Sequence, residues 1–322
     1  MTVAVEEVLA MAGYGKDAAA KVKNHEVVHF NVDTLTTREL AAGFAMLVKR
    51  TPEDLDEVFL MSDKKEESDD SIQYMERMVD GTLDFSKVEL MPAKSVKDSV
   101  KQYANAATSH GSDDLNLSQE ERAMFAGLDK KNATKEQVEE ILKKVLAKRL
   151  QDYQQKGLEG VGAYQRKSNK SFEPGAELRE KTEKLAMAKK VAPEFMKYSL
   201  DYPNNKPTTG EVKEAYGWIN FNIDDKPTFS IFHKVSYHDA EKGFYLMFHR
   251  HFYVSRGHNS VQAVGACFPV ENEESLVMLA SRTSTDLVAG FGGSAKKALG
   301  SRIMGGKLKA NFEKYRTLSE KK

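Results

Sequence analysis

Two histidines separated by a single residue, His249 and His251, lie in the aromatic stretch GFYLMFHRHFYVS, residues 243–255. Alternate side chains of a β-strand share a face, so the two imidazoles would point the same way, with Cα atoms roughly 6 to 7 Å apart. Tyr245 and Tyr253 follow the same alternation. This spacing suits a His-x-His metal site, which needs a third ligand from another strand.

His233, in the preceding strand-like segment PTFSIFHKVSY, is the candidate for that third ligand. No carboxylate is evident beside the three histidines, and we therefore predict neither a metal nor a cofactor. Three interpretations stay open at this point. The histidines bind a metal, or they are structural with satisfied hydrogen bonds, or they form the polar lining of an apolar ligand cavity.

Arg250 lies between the two histidines, on the strand face that alternation assigns to Phe248 and Phe252. A buried arginine needs a carboxylate or several carbonyl groups as partners. Asp286 and Asp239 are the predicted partners. The pattern favours a structural ion pair and leaves open a site that binds a substrate anion.

Other sequence patterns resemble catalytic motifs but lack the further residues that those motifs require. The glycine pattern GFGGSA, residues 290–295, is followed by too few residues for the second strand and the ribose-binding acid of a dinucleotide fold. Ser294 and Lys297 have the spacing of a serine β-lactamase motif, but its Lys-Thr-Gly partner is absent. Cys267 is the single cysteine, which excludes an internal disulfide, and its apolar flanks predict a small buried side chain.

The apolar period changes to two from residue 216 onward. WINFNI, PTFSIFHKVSY, GFYLMFHRHFYVS, SVQAVGACFPV and SLVMLASRTS are separated mostly by turn residues, which predicts an antiparallel meander of about five strands. A C-terminal helix should close it. The predicted apolar side of that helix consists of Leu299, Ile303, Met304, Leu308, Phe312 and Tyr315.

Helical patterns dominate the first part of the chain. TTRELAAGFAMLVKR begins with a capping box, Thr36 and Glu39, and predicts a helix, as does PEDLDEVFLM. NHEVVHFNV and TLDFSKVEL predict short strands. The charged run SDKKEESDDS, residues 62–71, predicts a surface loop.

Capping boxes beginning at Ser118 and Thr134 predict two further helix starts, the second opening a long amphipathic helix that ends at Gly157. PGAELREKTEKLAMAKKVAP predicts one more helix. The predicted class is α+β, with a mostly helical region at 1–112 and an α+β region with long helix, sheet and terminal helix at 113–322.

The composition sets limits on partners. Lysine plus arginine equals aspartate plus glutamate at 48 each, so no overall basic field favours nucleic acid. The longest apolar runs, such as AAGFAMLV, fall far short of the roughly 20 residues that cross a bilayer, and we predict no transmembrane segment. Glu6 and Glu7 occupy positions where an export signal would be basic and then apolar.

The segments AGYGK, LAAGFAMLVK, RLQDYQQKGLEGVGAY, FYVSRGHNSVQ and RTSTDLVAGFGGSAKKALGSRIM resemble an uncharacterised family of bacterial proteins with no assigned activity. Many of its members are exported. The resemblance therefore implies a periplasmic or secreted protein if a leader has been removed, and a cytoplasmic one otherwise. His258 replaces an aromatic residue of the family pattern and His249 is not part of it, which argues against a shared histidine mechanism.

A meander closed by a long helix also looks like the helix-grip arrangement of START-like lipid and polyketide binders, an analogy of fold alone. Our leading expectation is non-enzymatic binding of an apolar or amphipathic small molecule. The alternatives are a hydrolase or metal-dependent enzyme that uses the His249 and His251 strand, and a structural envelope-associated protein. The predicted ligand-binding residues are His233, Tyr245, His249, Arg250, His251, Tyr253 and Asp286.

Overall fold

The computed structural model describes residues 2–30, 32–61, 72–78, 83–91, 96–108, 114–289 and 293–320. Its helices are α1 (Val5–Met11), α2 (Lys16–Lys23), α3 (Pro52–Met61), α4 (Val96–Ala104), α5 (Gln119–Met124), α6 (Lys135–Lys156), α7 (Pro174–Glu183), α8 (Ala186–Val191), α9 (Pro193–Asp201) and α10 (Gly293–Glu320). Its strands are β1 (Val28–Phe30), β2 (Glu39–Val48), β3 (Ile72–Arg77), β4 (Tyr164–Gln165), β5 (Ser171–Phe172), β6 (Glu211–Ile223), β7 (Lys226–Asp239), β8 (Phe244–Val254), β9 (Ser260–Pro269) and β10 (Ser275–Ser284). The predicted α+β class is confirmed.

One antiparallel sheet of eight strands organises the fold, in the order β1-β2-β10-β9-β8-β7-β6-β3. Strands β6 to β10 are neighbours in the same order as in the chain. β2 extends the sheet beyond β10, and β3 extends it beyond β6. The regions 1–112 and 113–322 therefore both contribute strands, and the sheet crosses the predicted boundary between them.

Helices cover parts of both faces of the sheet. We call the face that carries Val235 and Phe248 the front face; it packs against α1, α2, α8 and α9 at one end and against α6 at the other. The back face carries Met247 and Cys267, and α3 packs on it through Leu55. The core thus lies in two layers on either side of the sheet.

The long helix α6 forms as its sequence predicts. Thr134 and Gln137 complete the capping box that starts it, and the same arrangement at Ser118 starts α5. Gly157 ends the helix with a φ of 57°, and a Cβ at this position would lie 1.8 Å from the carbonyl oxygen of Tyr202. Only glycine combines this conformation with so close an approach.

The predicted helix at TTRELAAGFAMLVKR is wrong, because most of this segment is the strand β2. β2 lies between β1 and β10 and is buried on both faces over most of its length, so it reads as a continuous apolar run. Periodicity cannot separate such a run from a buried helix. Glu39 accordingly does not cap a helix; its carboxylate accepts a hydrogen bond from the Leu35 N–H at 2.6 Å.

Two other local predictions need correction. The described part of TLDFSKVEL, residues 83–90, contains no strand, and β3 instead takes the sheet edge next to β6. The single helix predicted from PGAELREKTEKLAMAKKVAP is divided among α7, α8 and the start of α9. The predicted loop at 62–71 and residues 290–292 of the glycine pattern lie outside the described residues.

The C-terminal helix α10 lies along β2 instead of facing the five-strand segment alone. Phe312 contacts Phe44, and Gly300 lies against Leu40. Leu299 and Ile303, predicted on its apolar side, are 61% and 53% exposed. In the part of the chain that the structure describes, no helix is both long enough and apolar enough to span a bilayer.

Candidate functional site

The register of β7 and β8 decides where the predicted site residues point. His233 is paired with Arg250, so both side chains lie on the front face, whereas Tyr245, His249 and His251 lie on the back face. His233 therefore cannot join His249 and His251 as a third metal ligand. The structure therefore rules out the metal-site interpretation that used His233 as the third ligand, because a one-residue difference in pairing selects the opposite face.

A bulge in the pairing of β7 and β8 moves Tyr253 as well. Phe232 pairs with His251, but the next residue, Ile231, pairs with Tyr253, so one extra residue of β8 shifts the alternation. Tyr253 consequently lies on the front face, fully buried under the Arg149 guanidinium. The predicted common face from Tyr245 to Tyr253 does not exist.

The two back-face histidines pack against each other and against neighbouring side chains, and the buried His249 Nε2 has no hydrogen-bond partner among the described residues. Their ring centroids are 4.6 Å apart, the His251 Nδ1 lies 2.7 Å from the Ser230 Oγ, and Phe232 meets the His249 ring edge-on. Burial lowers the pKa of both, that of His251 to about 3. Both rings are therefore neutral at pH 7. No cluster of three metal-binding side chains occurs within the described ranges.

Asp286 and Tyr245 are engaged elsewhere. The Asp286 carboxylate lies 3.2 Å from the Arg166 Nε and 3.5 Å from an Arg38 nitrogen. Tyr245 is buried and stacks on His238 with ring centroids 4.2 Å apart. Neither residue joins Arg250, and the predicted cluster is spread over several parts of the molecule.

His233 and Arg250 do meet, at a narrow crevice between α9 and the front face, which we call the Arg250 crevice. Its open space is about 10 Å³. A space of this size accommodates about one water molecule. The lining residues are Tyr198, Ser199, Tyr202, His233, Val235, Phe248 and Arg250.

Arg250 is buried with neutral partners. Its side chain donates to Gln262 Oε1 at 3.1 Å, to Tyr153 Oη at 3.3 Å, to Thr182 Oγ1 at 3.2 Å, and twice to the Ser199 carbonyl oxygen at 3.2 Å. Ser199 lies in the last turn of α9, where the helix dipole favours a cation. All the guanidinium donors are thus used, without an ionised acceptor.

Neither carboxylate predicted for Arg250 is its partner. Asp239 binds the Lys242 ammonium at 3.0 Å, and Asp286 binds the arginines described above. Among the described residues, no carboxylate oxygen lies within 4.0 Å of the Arg250 guanidinium. The positive charge of Arg250 is therefore hydrogen-bonded but not locally neutralised.

His233 connects Arg250 to a more distant carboxylate. The Tyr153 hydroxyl oxygen accepts from Arg250 and lies 3.1 Å from the His233 Nδ1, so its proton points to that nitrogen. The neutral imidazole then carries its own proton on Nε2, which lies 3.4 Å from the Glu214 Oε2 but makes no well-aligned hydrogen bond to it. Burial lowers the His233 pKa, and Glu214 offsets this only in part, which keeps the ring neutral.

Glu214 forms the outer end of this chain of contacts. Burial alone would raise its pKa, but the contacts from His233 and from the Tyr198 hydroxyl outweigh it, and the pKa falls below its usual value. Its side chain is 21% exposed, so the chain of contacts reaches solvent here. A buried cation and a partly exposed carboxylate are thus joined through neutral His233 and Tyr153.

The sequence reasoning missed Tyr153, Tyr198, Tyr202 and Glu214. The available signal for Glu214 was the period-two pattern of β6, which places it on the same face as Tyr216 and Trp218. Tyr153 ended the apolar stripe of α6 and was indistinguishable there from a core residue. Nothing local to α9 indicated that Tyr198 would face an arginine from β8.

Comparison with known proteins adds no family to this description. No protein-family model matches the chain, and no curated protein matches it with significance. The resemblance to exported bacterial proteins therefore stays a prediction, and the function has to be argued from the Arg250 crevice.

Proposed function

We propose that the protein binds a small amphipathic carboxylic acid at the Arg250 crevice, without catalysing a reaction on it. The observation that carries the proposal is the charge of Arg250, which is 4% exposed and has only neutral acceptors around it. A carboxylate is the group that a guanidinium binds most specifically, through two parallel hydrogen bonds. A ligand carboxylate would replace the Ser199 carbonyl as acceptor and neutralise the charge.

The walls of the crevice support an apolar body for this ligand. Val235 and Phe248 lie beside Arg250 on the front face, and the rings of Tyr198 and Tyr202 close the crevice on the side of α9. Ligand sites commonly combine such apolar walls with a few polar groups that fix orientation. Because the open space has room for only about one water molecule, the Tyr202 ring would have to turn outward on binding.

A substitution of Gln262 tests the proposal while leaving Arg250 in place. In Gln262→Glu, the acceptor 3.1 Å from the Arg250 Nε becomes a carboxylate of the protein itself, which neutralises the guanidinium without a ligand. We expect calorimetry to detect hexanoate binding to the wild type and hexanol binding at least about tenfold weaker. The Gln262→Glu variant should bind hexanoate at least about tenfold less tightly, with unchanged or raised thermal stability.

Gln155→Glu is the matched control, since it makes the same change on the exposed side of α6. It should bind hexanoate as the wild type does. Equal affinity for hexanoate and hexanol would show that Arg250 does not bind the ligand carboxylate. Undiminished hexanoate binding by Gln262→Glu would show that the ligand binds outside the Arg250 crevice. Lack of measurable hexanoate binding by the wild type would refute the proposal.

A further inference from the structure

A second pocket lies on α4, shares no lining residue with the Arg250 crevice and is unused by the proposed function. Its volume is about 380 Å³, within the range of about 300 to 1,000 Å³ usual for small-molecule sites. Its described lining consists of Asp98, Ser99, Lys101, Gln102, Asn105 and Lys226. All of these side chains carry polar groups.

Ser99 provides an observation that points to a ligand. Its side chain is 1% exposed, and its hydroxyl has no hydrogen-bond partner within the described ranges although it borders the pocket. A buried hydroxyl without a partner lowers the stability of a fold. Such groups are rare in native structures and call for an explanation such as an absent ligand or water.

Gln102 adds donors whose orientation is decided by a buried arginine behind the pocket. Arg256 is 1% exposed, and its Nη1 donates to the Gln102 Oε1 at 3.1 Å. An arginine has no acceptor, so the oxygen of the Gln102 amide must face Arg256. The two N–H bonds of the Gln102 amide are then left to point away from Arg256.

The charges around the pocket favour an anion at one end. Lys101 and Lys226 line it, and Arg256 lies behind it with Nε and Nη2 lacking partners among the described residues. Asp98, which also lines the pocket, and Asp114 offset two of these three positive charges, Asp114 lying 3.1 Å from the Lys226 Nζ and 4.0 Å from the Arg256 Nη1. Hydroxyl, amide and ammonium donors around an excess of positive charge are the groups that bind phosphate.

We propose that the α4 pocket binds a phosphorylated sugar or polyol. The phosphate would accept from the Ser99 hydroxyl, the Gln102 amide and the two lysines. Asp98 and Asn105, which line the same pocket, offer acceptors for sugar hydroxyls. The volume is larger than a bare phosphate needs, which favours a ligand with a polar body.

Ser99→Ala separates this role from a structural one. Because the hydroxyl has no partner in the free protein, its removal should leave thermal stability unchanged or raise it. The same change should weaken binding of ribose 5-phosphate, measured by calorimetry on the full chain, by about tenfold. Lys97→Gln removes an exposed lysine of α4 that does not line the pocket, and it should leave binding unchanged.

Gln102→Glu is a second variant that should change stability and ligand binding in opposite directions. The new carboxylate would pair with Arg256 and raise the melting temperature, while it removes both amide donors and repels phosphate. We expect ribose 5-phosphate binding to fall by more than about tenfold. Undiminished binding by Ser99→Ala or Gln102→Glu, or failure of the wild type to bind ribose 5-phosphate, overturns the proposal, and equal affinity for inorganic phosphate overturns the sugar assignment.

Discussion

His233 and Arg250 are direct cross-strand partners, and both side chains point to the front face of the sheet. This pairing separates His233 from His249 and His251 and places it in contact with Tyr153 and Glu214. The three histidines are thereby divided between the two faces of the sheet. The back-face pair is neutral and packed, and the front-face residue links a buried cation to a carboxylate.

Arg250→Met tests how far Arg250 also supports the fold. The change leaves the Ser199 carbonyl and the Gln262 Oε1 without their arginine donor. We expect a loss of about 2 to 4 kcal/mol in the free energy of unfolding, measured by urea denaturation. Arg302→Met, on the exposed side of α10, should change it by less than about 0.5 kcal/mol. Equal losses in both variants would contradict the structural role of these contacts.

His251 should make stability depend on acid pH. Burial lowers its pKa from 6.5 to about 3, so between these values the unfolded chain takes up a proton that the folded protein does not. Stability therefore falls as the pH drops from 6.5 toward 3, by up to about 1.4 kcal/mol per pH unit for this group. His251→Asn, which keeps a donor for Ser230, should lose less stability from pH 7 to pH 4 than the wild type.

The exposed His29 supplies the control for that experiment. His29→Asn should follow the wild-type dependence of unfolding free energy on pH. If His251→Asn shows the wild-type slope as well, His251 takes up its proton in the folded protein as readily as in the unfolded chain, and the predicted pH dependence is wrong.

Glu121 and Arg149 form a buried ion pair whose disruption should be costly. The Arg149 Nε and Nη2 each lie 2.6 Å from a Glu121 carboxylate oxygen, and the two side chains are only 4% and 5% exposed. Glu121→Gln should lower the free energy of unfolding by about 3 kcal/mol, since it leaves a buried cation without its counter-ion. Asp152→Asn, in the more exposed pair with Lys148, should cost less than about 1 kcal/mol. Similar costs in the two variants would refute this distinction.

Two glycines should respond to alanine in opposite directions. Gly157→Ala requires a Cβ 1.8 Å from the Tyr202 carbonyl at a positive φ, and the melting temperature should fall by several degrees or more. Gly306 lies within α10, and a Cβ added there would meet nothing within 4 Å, so Gly306→Ala should stabilise by about 1 kcal/mol. A neutral Gly157→Ala variant would mean that α6 and Tyr202 can move apart.

The sequence correctly predicted those elements whose local pattern fits only one kind of secondary structure. The capping boxes at Ser118 and Thr134 are both present, and the strands β6 to β10 occupy the segments with a period of two. β2 was missed because its apolar run is buried on both faces, and a continuous apolar run carries no period. Whether such a run forms a strand or a helix depends on neighbouring strands, which lie outside the segment itself.

The sequence by itself determined the α+β class and the long helix, and it showed that Arg250 is a charged residue in an apolar strand. Tertiary structure alone decided what surrounds that charge. The register of β7 set His233 beside Arg250, a bulge turned Tyr253 to the front face, and α9 supplied the Ser199 carbonyl. The physical reason is that side chains alternate with a period of two, so one residue of register exchanges the entire environment of a strand residue, and no local pattern records that shift.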